Sequence, residues 1–310
     1  MSGGVGGGTG GAAGEARARS RPAAPDAARR RAASGLALVA IVLMAAQSAT
    51  GLSFPGLYRD VGFALDAWRV NDPVTLFAAT PIAVAALASA RRGSQRAWLV
   101  LMGAMQYALY NYAFYLFGAA LNAHFLLYVA AFVAAGAALV AGLAALDAAA
   151  IGRALAPRLP ARPLAGYLAF WAGVLGIAWV AQALAYLVTG VEPGLGMEAF
   201  RLIAALDLSL VVAPVAVAAA WLWRRRAWGY VLAVVMHVKG AVYALLLAIG
   251  SALGGPLAQG GGDGLLGLWV VFVVGSAVSL VVLLAGFREG DAGDVPRGSV
   301  PGGAPRTQRG

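Results

Sequence analysis

A chain of 310 residues that is 61% hydrophobic and only 12% charged, with mean hydropathy +0.78, lacks the charge to cover a water-facing surface; soluble domains carry about 25% charged residues. The composition points to an all-α integral membrane protein and excludes a soluble enzyme. The absence of cysteine excludes disulfides, thiolate metal sites and cysteine nucleophiles, and the net charge of +10 is accounted for below by topology, not by nucleic acid.

Residues 1–33 are mostly Gly, Ala, Arg and Pro and read as a disordered basic tail. A membrane helix needs about 20 mostly apolar residues. Eight stretches qualify: 34–53, 73–90, 97–118, 121–146, 164–189, 202–223, 227–250 and 265–287. A short linker, 151–163, separates the fourth from the fifth, and 288–310 reads as a second disordered tail. The glycine runs at 3–11 and 260–264 read as flexible segments.

Placing the N-terminus in the cytoplasm puts nineteen of the 23 basic residues on that side. They are six arginines from Arg17 to Arg31, Arg91, Arg92 and Arg96, three from Arg153 to Arg162, Arg224 to Arg226, and four from Arg288 to Arg309. Only Arg59, Arg69 and Arg201 fall outside, where the acidic residues collect, and Lys239 lies within a span. This is the positive-inside pattern, with both termini cytoplasmic. Trp98, Trp221, Trp223 and Trp228 beside the arginines read as interface anchors.

The chain also repeats itself. PIAVAALASARR, Pro81 to Arg92, matches PVAVAAAWLWRR, Pro214 to Arg225, at seven of twelve positions, and each is followed by Arg-Ala-Trp. Gln47 precedes Asp72 by 25 residues, and Gln182 precedes Asp207 by 25. The reading is two four-helix units, 34–150 and 164–287. Four is even, so both enter the membrane from the same side as parallel repeats, an arrangement that in transporters places the ligand site between the halves near the midplane.

Polar residues within the spans are the candidate site. Lys239 lies 13 residues past Arg226, roughly 20 Å from the inner surface, too deep to snorkel in a core about 30 Å thick. Asp207 falls at a comparable depth, so an Asp207–Lys239 pair is expected. On the third span Tyr107, Tyr110, Asn111 and Tyr115 share one helical face, and on the seventh Tyr243 shares a face with Lys239. The expected site sets Tyr107, Tyr110 and Asn111 opposite Lys239 and Tyr243, with His237 on the same helix and Gln47 and Gln182 at the edges. Asp72 has a separate reading: Asn71-Asp72-Pro73 looks like a helix N-cap followed by proline at the first helical position.

Other chemistry lacks its residues. The two histidines, His124 and His237, fall at different depths, which disfavours bis-histidine haem. No metal-ligand cluster, paired carboxylates, Gly-x-Ser-x-Gly or P-loop is present. A lysine Schiff base with Asp207 as counter-ion is chemically possible, but eight spans and a duplication depart from rhodopsins. No cofactor, metal or catalytic residue is therefore assigned. The expectation is a polytopic inner-membrane protein of a bacterium, either a permease or small-molecule-binding protein in which Lys239 meets a small anionic group or relays a proton with Asp207, or a structural or assembly subunit with no site of its own.

Overall fold

The computed structural model describes residues 24–253 and 265–287, and among them every regular element is helical. Among the described residues nine α-helices follow one another, with a short 3-10 turn (Pro55–Leu57) between the first two: α1 (Ala24–Ser53), α2 (Phe63–Arg91), α3 (Gln95–Gly118), α4 (Phe125–Ala144), the short α5 (Ala148–Leu155), α6 (Ala161–Thr189), α7 (Met197–Trp223), α8 (Ala227–Ala252) and α9 (Leu265–Ala285). Seven of them are long and apolar enough to cross a membrane: α1, α2, α4, α6, α7, α8 and α9. The chain is a multi-pass all-α membrane protein. The exception among the long helices is α3. Its 24 residues span about 36 Å, but Gln106, Tyr107, Tyr110, Asn111, Tyr112 and Tyr115 lower its hydropathy, and all six are buried. It can carry them because protein surrounds it.

α3 and α8 form the central pair. Gly103 makes the close approach possible: a Cβ there would stand 2.9 Å from the Val235 carbonyl and against the Val238 side chain. α3 is flanked by α2 and α4, with α1 packed on α4; α8 is flanked by α7 and α9, with α6 packed on α7. The burial follows this order: 61% of the apolar window of α8 lies inside the protein, against 22% for the peripheral α9.

Two helices contain a π-helical turn, Thr75–Ala79 in α2 and Leu208–Val212 in α7. Each ends two residues before a proline, Pro81 and Pro214. A proline inside a helix has no N–H for the carbonyl four residues back. In α7 that carbonyl belongs to Leu210, and Gln106 Nε2 of α3 donates to it at 3.0 Å. In α2 the Thr80 hydroxyl donates to Thr75 O at 2.8 Å. In α7 the carbonyl freed by proline is thus satisfied by protein, as irregular backbone must be at membrane depth.

Three expectations need correction. Residues 24–33 belong to α1 and not to a tail: AARRRAA has strong helix formers, and Arg30 fastens the helix by reaching Gln95 Oε1 (3.1 Å) and Ala145 O (3.4 Å), with its guanidinium 5.1 Å over the Trp98 ring. Trp98 is accordingly no interface anchor. It is 2% exposed and donates to Gly142 O at 3.1 Å, whereas Trp223 and Trp228 are exposed. The second span starts at Phe63, ten residues before the expected start at Pro73, because the helix runs through that proline. The remainder of the N-terminal tail, the 260–264 segment and the C-terminal tail lie outside the described residues.

Candidate functional site

Two buried carboxylates organise the polar interior, and they differ. Asp72 lies well inside α2, 1% exposed, and is not an N-cap. Its Oδ1 accepts from Tyr115 OH (2.7 Å) and Gln47 Nε2 (3.0 Å), and its Oδ2 from Tyr58 OH (2.5 Å). Tyr112 OH donates to Gln47 Oε1 at 3.1 Å. Tyr115 stacks between Trp68 (4.2 Å) and Tyr128 (5.0 Å). Gly51 leaves no Cβ where Asp72 Oδ2 and Tyr58 OH stand. The N-cap reading failed because Asn-Asp-Pro carries the same residues whether a helix starts at it or passes through it. Tyr58 lies between spans, and burial, followed by the Asp72 carboxylate, pushes its phenol above the ordinary value. Nearby His124 donates through Nε2 to Thr50 Oγ1 (2.9 Å), since the Thr50 hydroxyl hydrogen is already given to Ala46 O (2.6 Å). Its Nδ1 has no partner, and burial holds the His124 pKa below the ordinary imidazole value.

Asp207 ends the first segment of α7, immediately before the π turn, and is 2% exposed. Its Oδ1 accepts from Tyr110 OH at 2.6 Å and Tyr243 OH at 3.5 Å, and its Oδ2 from Trp179 Nε1 at 2.9 Å. The two tyrosine hydroxyls lie 2.9 Å apart. Lys239 is fully buried, but it makes no bond to Asp207. Its Nζ rests over the rings of Tyr110 (4.0 Å) and Tyr243 (3.7 Å) and has no hydrogen-bond partner. The expected ion pair is thus replaced by a bridged one, in which the tyrosines give their hydroxyls to the carboxylate and their faces to the amino group. Amine–ring attraction of this kind is strongest where water is absent.

The face of α3 fans out. Tyr110 and Tyr115 are about 140° apart on the helix, so one serves Asp207 and the other Asp72. Asn111 lies between them: its Oδ1 accepts from Asn71 Nδ2 at 2.6 Å, and its Nδ2 is buried without a partner. Tyr107 turns to Thr75 Oγ1 (2.8 Å) and Asn71 Oδ1 (3.4 Å).

Between α2 and α3 on one side and α6 to α9 on the other lies a cavity of about 170 Å³. Its polar wall is Asn71, Asn111, Tyr110, Tyr243, Asp207 and Gln182, and the rest is apolar and aromatic, including Trp179 and Trp269. Phe63, Phe114 and Leu195 divide it from a second cavity of about 490 Å³ at the end of the bundle away from Arg91 and Arg224. Lys239 is not in the wall. Of the expected site residues, Tyr110, Asn111, Asp207, Tyr243 and Gln182 meet at this cavity. Gln47 belongs to the Asp72 cluster, and Gln182 bonds only Ala178 O (3.2 Å), not Asp207. His237 faces away, stacked on Tyr167 at 5.7 Å with Nδ1 on Ala233 O (2.6 Å) and Nε2 unpartnered. Its two-residue separation from Lys239, about 200° round the helix, had foretold the divergence. Asn71 and Trp179 were missed. Asn71 was absorbed into the cap reading, and a lone tryptophan in an apolar helix carries no signal.

No family model, curated protein or solved structure matches the chain.

Proposed function

We propose that this chain is a small-molecule-binding protein or permease of a bacterial cytoplasmic membrane, built as eight spans in two parallel four-helix repeats, with its site in the cavity between them and both termini in the cytoplasm. The observation that carries the reading is the cavity itself: the helices of both halves line it, Asp207 and two tyrosines converge on it, and the Asn111 amide nitrogen is left without a partner in its wall. Pockets with a few converging polar groups in an apolar wall are the common form of small-molecule sites.

The repeat is supported by the matched π turns before Pro81 and Pro214 and by the matched central helices, α3 beside α2 and α4 and α8 beside α7 and α9; the first helix of each half differs, α1 packing mainly on α4 and α6 on α7. In the proline register Asp207 falls opposite Val74, seven residues before each proline, and Asp72 lies two residues earlier. The two aspartates are thus not strict counterparts, which suits their different environments. A second reading, a structural or assembly subunit without a site, is supported by the Asp72 cluster, where a buried carboxylate takes three side-chain donors from the fold and does not line the cavity between the helices. The test is native mass spectrometry of the full chain in mild detergent. A retained small molecule, lost when Ala67→Leu narrows the cavity, is the expected result. Each protein appearing at the bare mass of its own chain favours the subunit.

A further inference from the structure

The cavity does more than offer space; its wall carries a sign. Among the described residues, Asp207 is the one acidic or basic side chain lining it. Lys239, whose charge would balance that carboxylate, is kept out of the wall with its Nζ against the ring faces of Tyr110 and Tyr243. A guest in the cavity lies against Asp207 in its wall, whereas Lys239 lines no part of it and has two aromatic rings beside its Nζ. Each carboxylate oxygen has two acceptor positions. Oδ2 receives only Trp179 Nε1, so it can accept a further donor.

Two other features describe the guest. The aromatic rings of Trp179, Trp269, Phe63 and Phe114 also line the cavity, and ring faces attract organic cations. Asn111 is 3% exposed, and its Nδ2 is a buried donor with no acceptor. An unpaired buried donor is costly, and a ligand oxygen beside it removes the cost. The volume of about 170 Å³ is close to that of a cavity of roughly 150 Å³ that accommodates benzene.

Building on the binding-site reading above, we propose that the cavity takes a small organic amine, cationic at neutral pH, with a body of about one ring and an acceptor oxygen near the nitrogen. The ammonium donates to Asp207, the body lies among the aromatic side chains, and the oxygen accepts from Asn111. The anionic ligand expected from Lys239 is disfavoured, because the lysine does not reach the cavity and the carboxylate does.

The experiment is calorimetric titration of the detergent-purified full chain with four probes of similar size: phenethylamine, phenylethanolamine, phenethyl alcohol and hydrocinnamate. The amines bind more tightly than the neutral alcohol, and the carboxylate binds weakest. Asp207→Asn weakens amine binding about 10- to 100-fold, the range of a charge-assisted hydrogen bond, and leaves the alcohol unchanged. Phenylethanolamine binds more tightly than phenethylamine in the wild type, and the difference disappears in Asn111→Ala. Hydrocinnamate binding as tightly as phenethylamine overturns the amine assignment while the site reading survives. Amine affinity unchanged by Asp207→Asn does the same. Binding of none of the four overturns both. The order of affinities in the wild type decides the sign even where a variant fails to fold.

Discussion

Removing Asp207 and removing Lys239 have unequal consequences. Asp207→Ala strands three donors, the hydroxyls of Tyr110 and Tyr243 and the indole N–H of Trp179, and leaves the lysine without its counter-charge. Interhelical hydrogen bonds in membranes average about 0.6 kcal/mol and reach about 1.7, so three of them amount to roughly 2–5 kcal/mol. Lys239→Met strands no hydrogen-bond donor or acceptor, because Nζ has no hydrogen-bond partner, and it takes from Asp207 only its counter-charge. It forfeits amine–ring attraction of about 2 kcal/mol and removes a buried basic group whose insertion costs about 3 kcal/mol. With the lost counter-charge of Asp207 set against the difference, the net is near zero. The assay is reversible denaturation in detergent micelles, followed by tryptophan fluorescence and by monodispersity on size exclusion. A Lys239→Met protein as destabilised as Asp207→Ala would refute the bridged arrangement and restore a direct ion pair.

Further outcomes follow from the same contacts. Gly103→Val drives a side chain against the Val235 carbonyl and Val238; overpacking of this kind costs about 1–3 kcal/mol, read as a fall in Tm, whereas Gly35→Ala, inside α1 with nothing within 4 Å, does not lower Tm and raises it slightly. Gln106→Leu orphans the Leu210 carbonyl at the π turn and lowers stability by about 1 kcal/mol, measurable as earlier hydrogen exchange in α7. His124 binds its proton less readily folded than unfolded. Its contribution is complete above the unfolded imidazole value of about 6.5 and is lost as pH falls below it, so the fall in Tm on acidification is smaller in His124→Phe than in the wild type.

The spans were legible because lipid demands a long apolar run, and the arginines mark one end of the bundle. Helix starts were less legible. Asn71-Asp72-Pro73 reads as a start, yet α2 passes through it, and only the tertiary partners of Asp72 reveal that. Spacing correctly gathered Tyr110, Asn111 and Tyr243, since helical periodicity decides which residues share a face. It could not tell which neighbour each would meet: an arc of about 140° on α3 serves two separate carboxylates. The depth of Lys239 demanded a partner, but charge alone named Asp207, whereas the fold uses the faces of two rings. Trp179 and Tyr58 were invisible for a related reason, as their donors matter only once Asp207 and Asp72 are placed beside them.

The most direct measurement uses the natural absence of cysteine. Ala67, 2% exposed, lines the cavity, Val281 is 67% exposed on the peripheral helix, and Ala83 is fully buried away from the cavity. Single cysteines at these positions are treated in membranes with a small water-soluble methanethiosulfonate reagent. Modification of Ala67→Cys, slowed by phenethylamine, with Val281→Cys and Ala83→Cys unreactive, is the result expected of a ligand cavity between the halves. An inert Ala67→Cys in a folded protein, or modification that no small molecule slows, would contradict it.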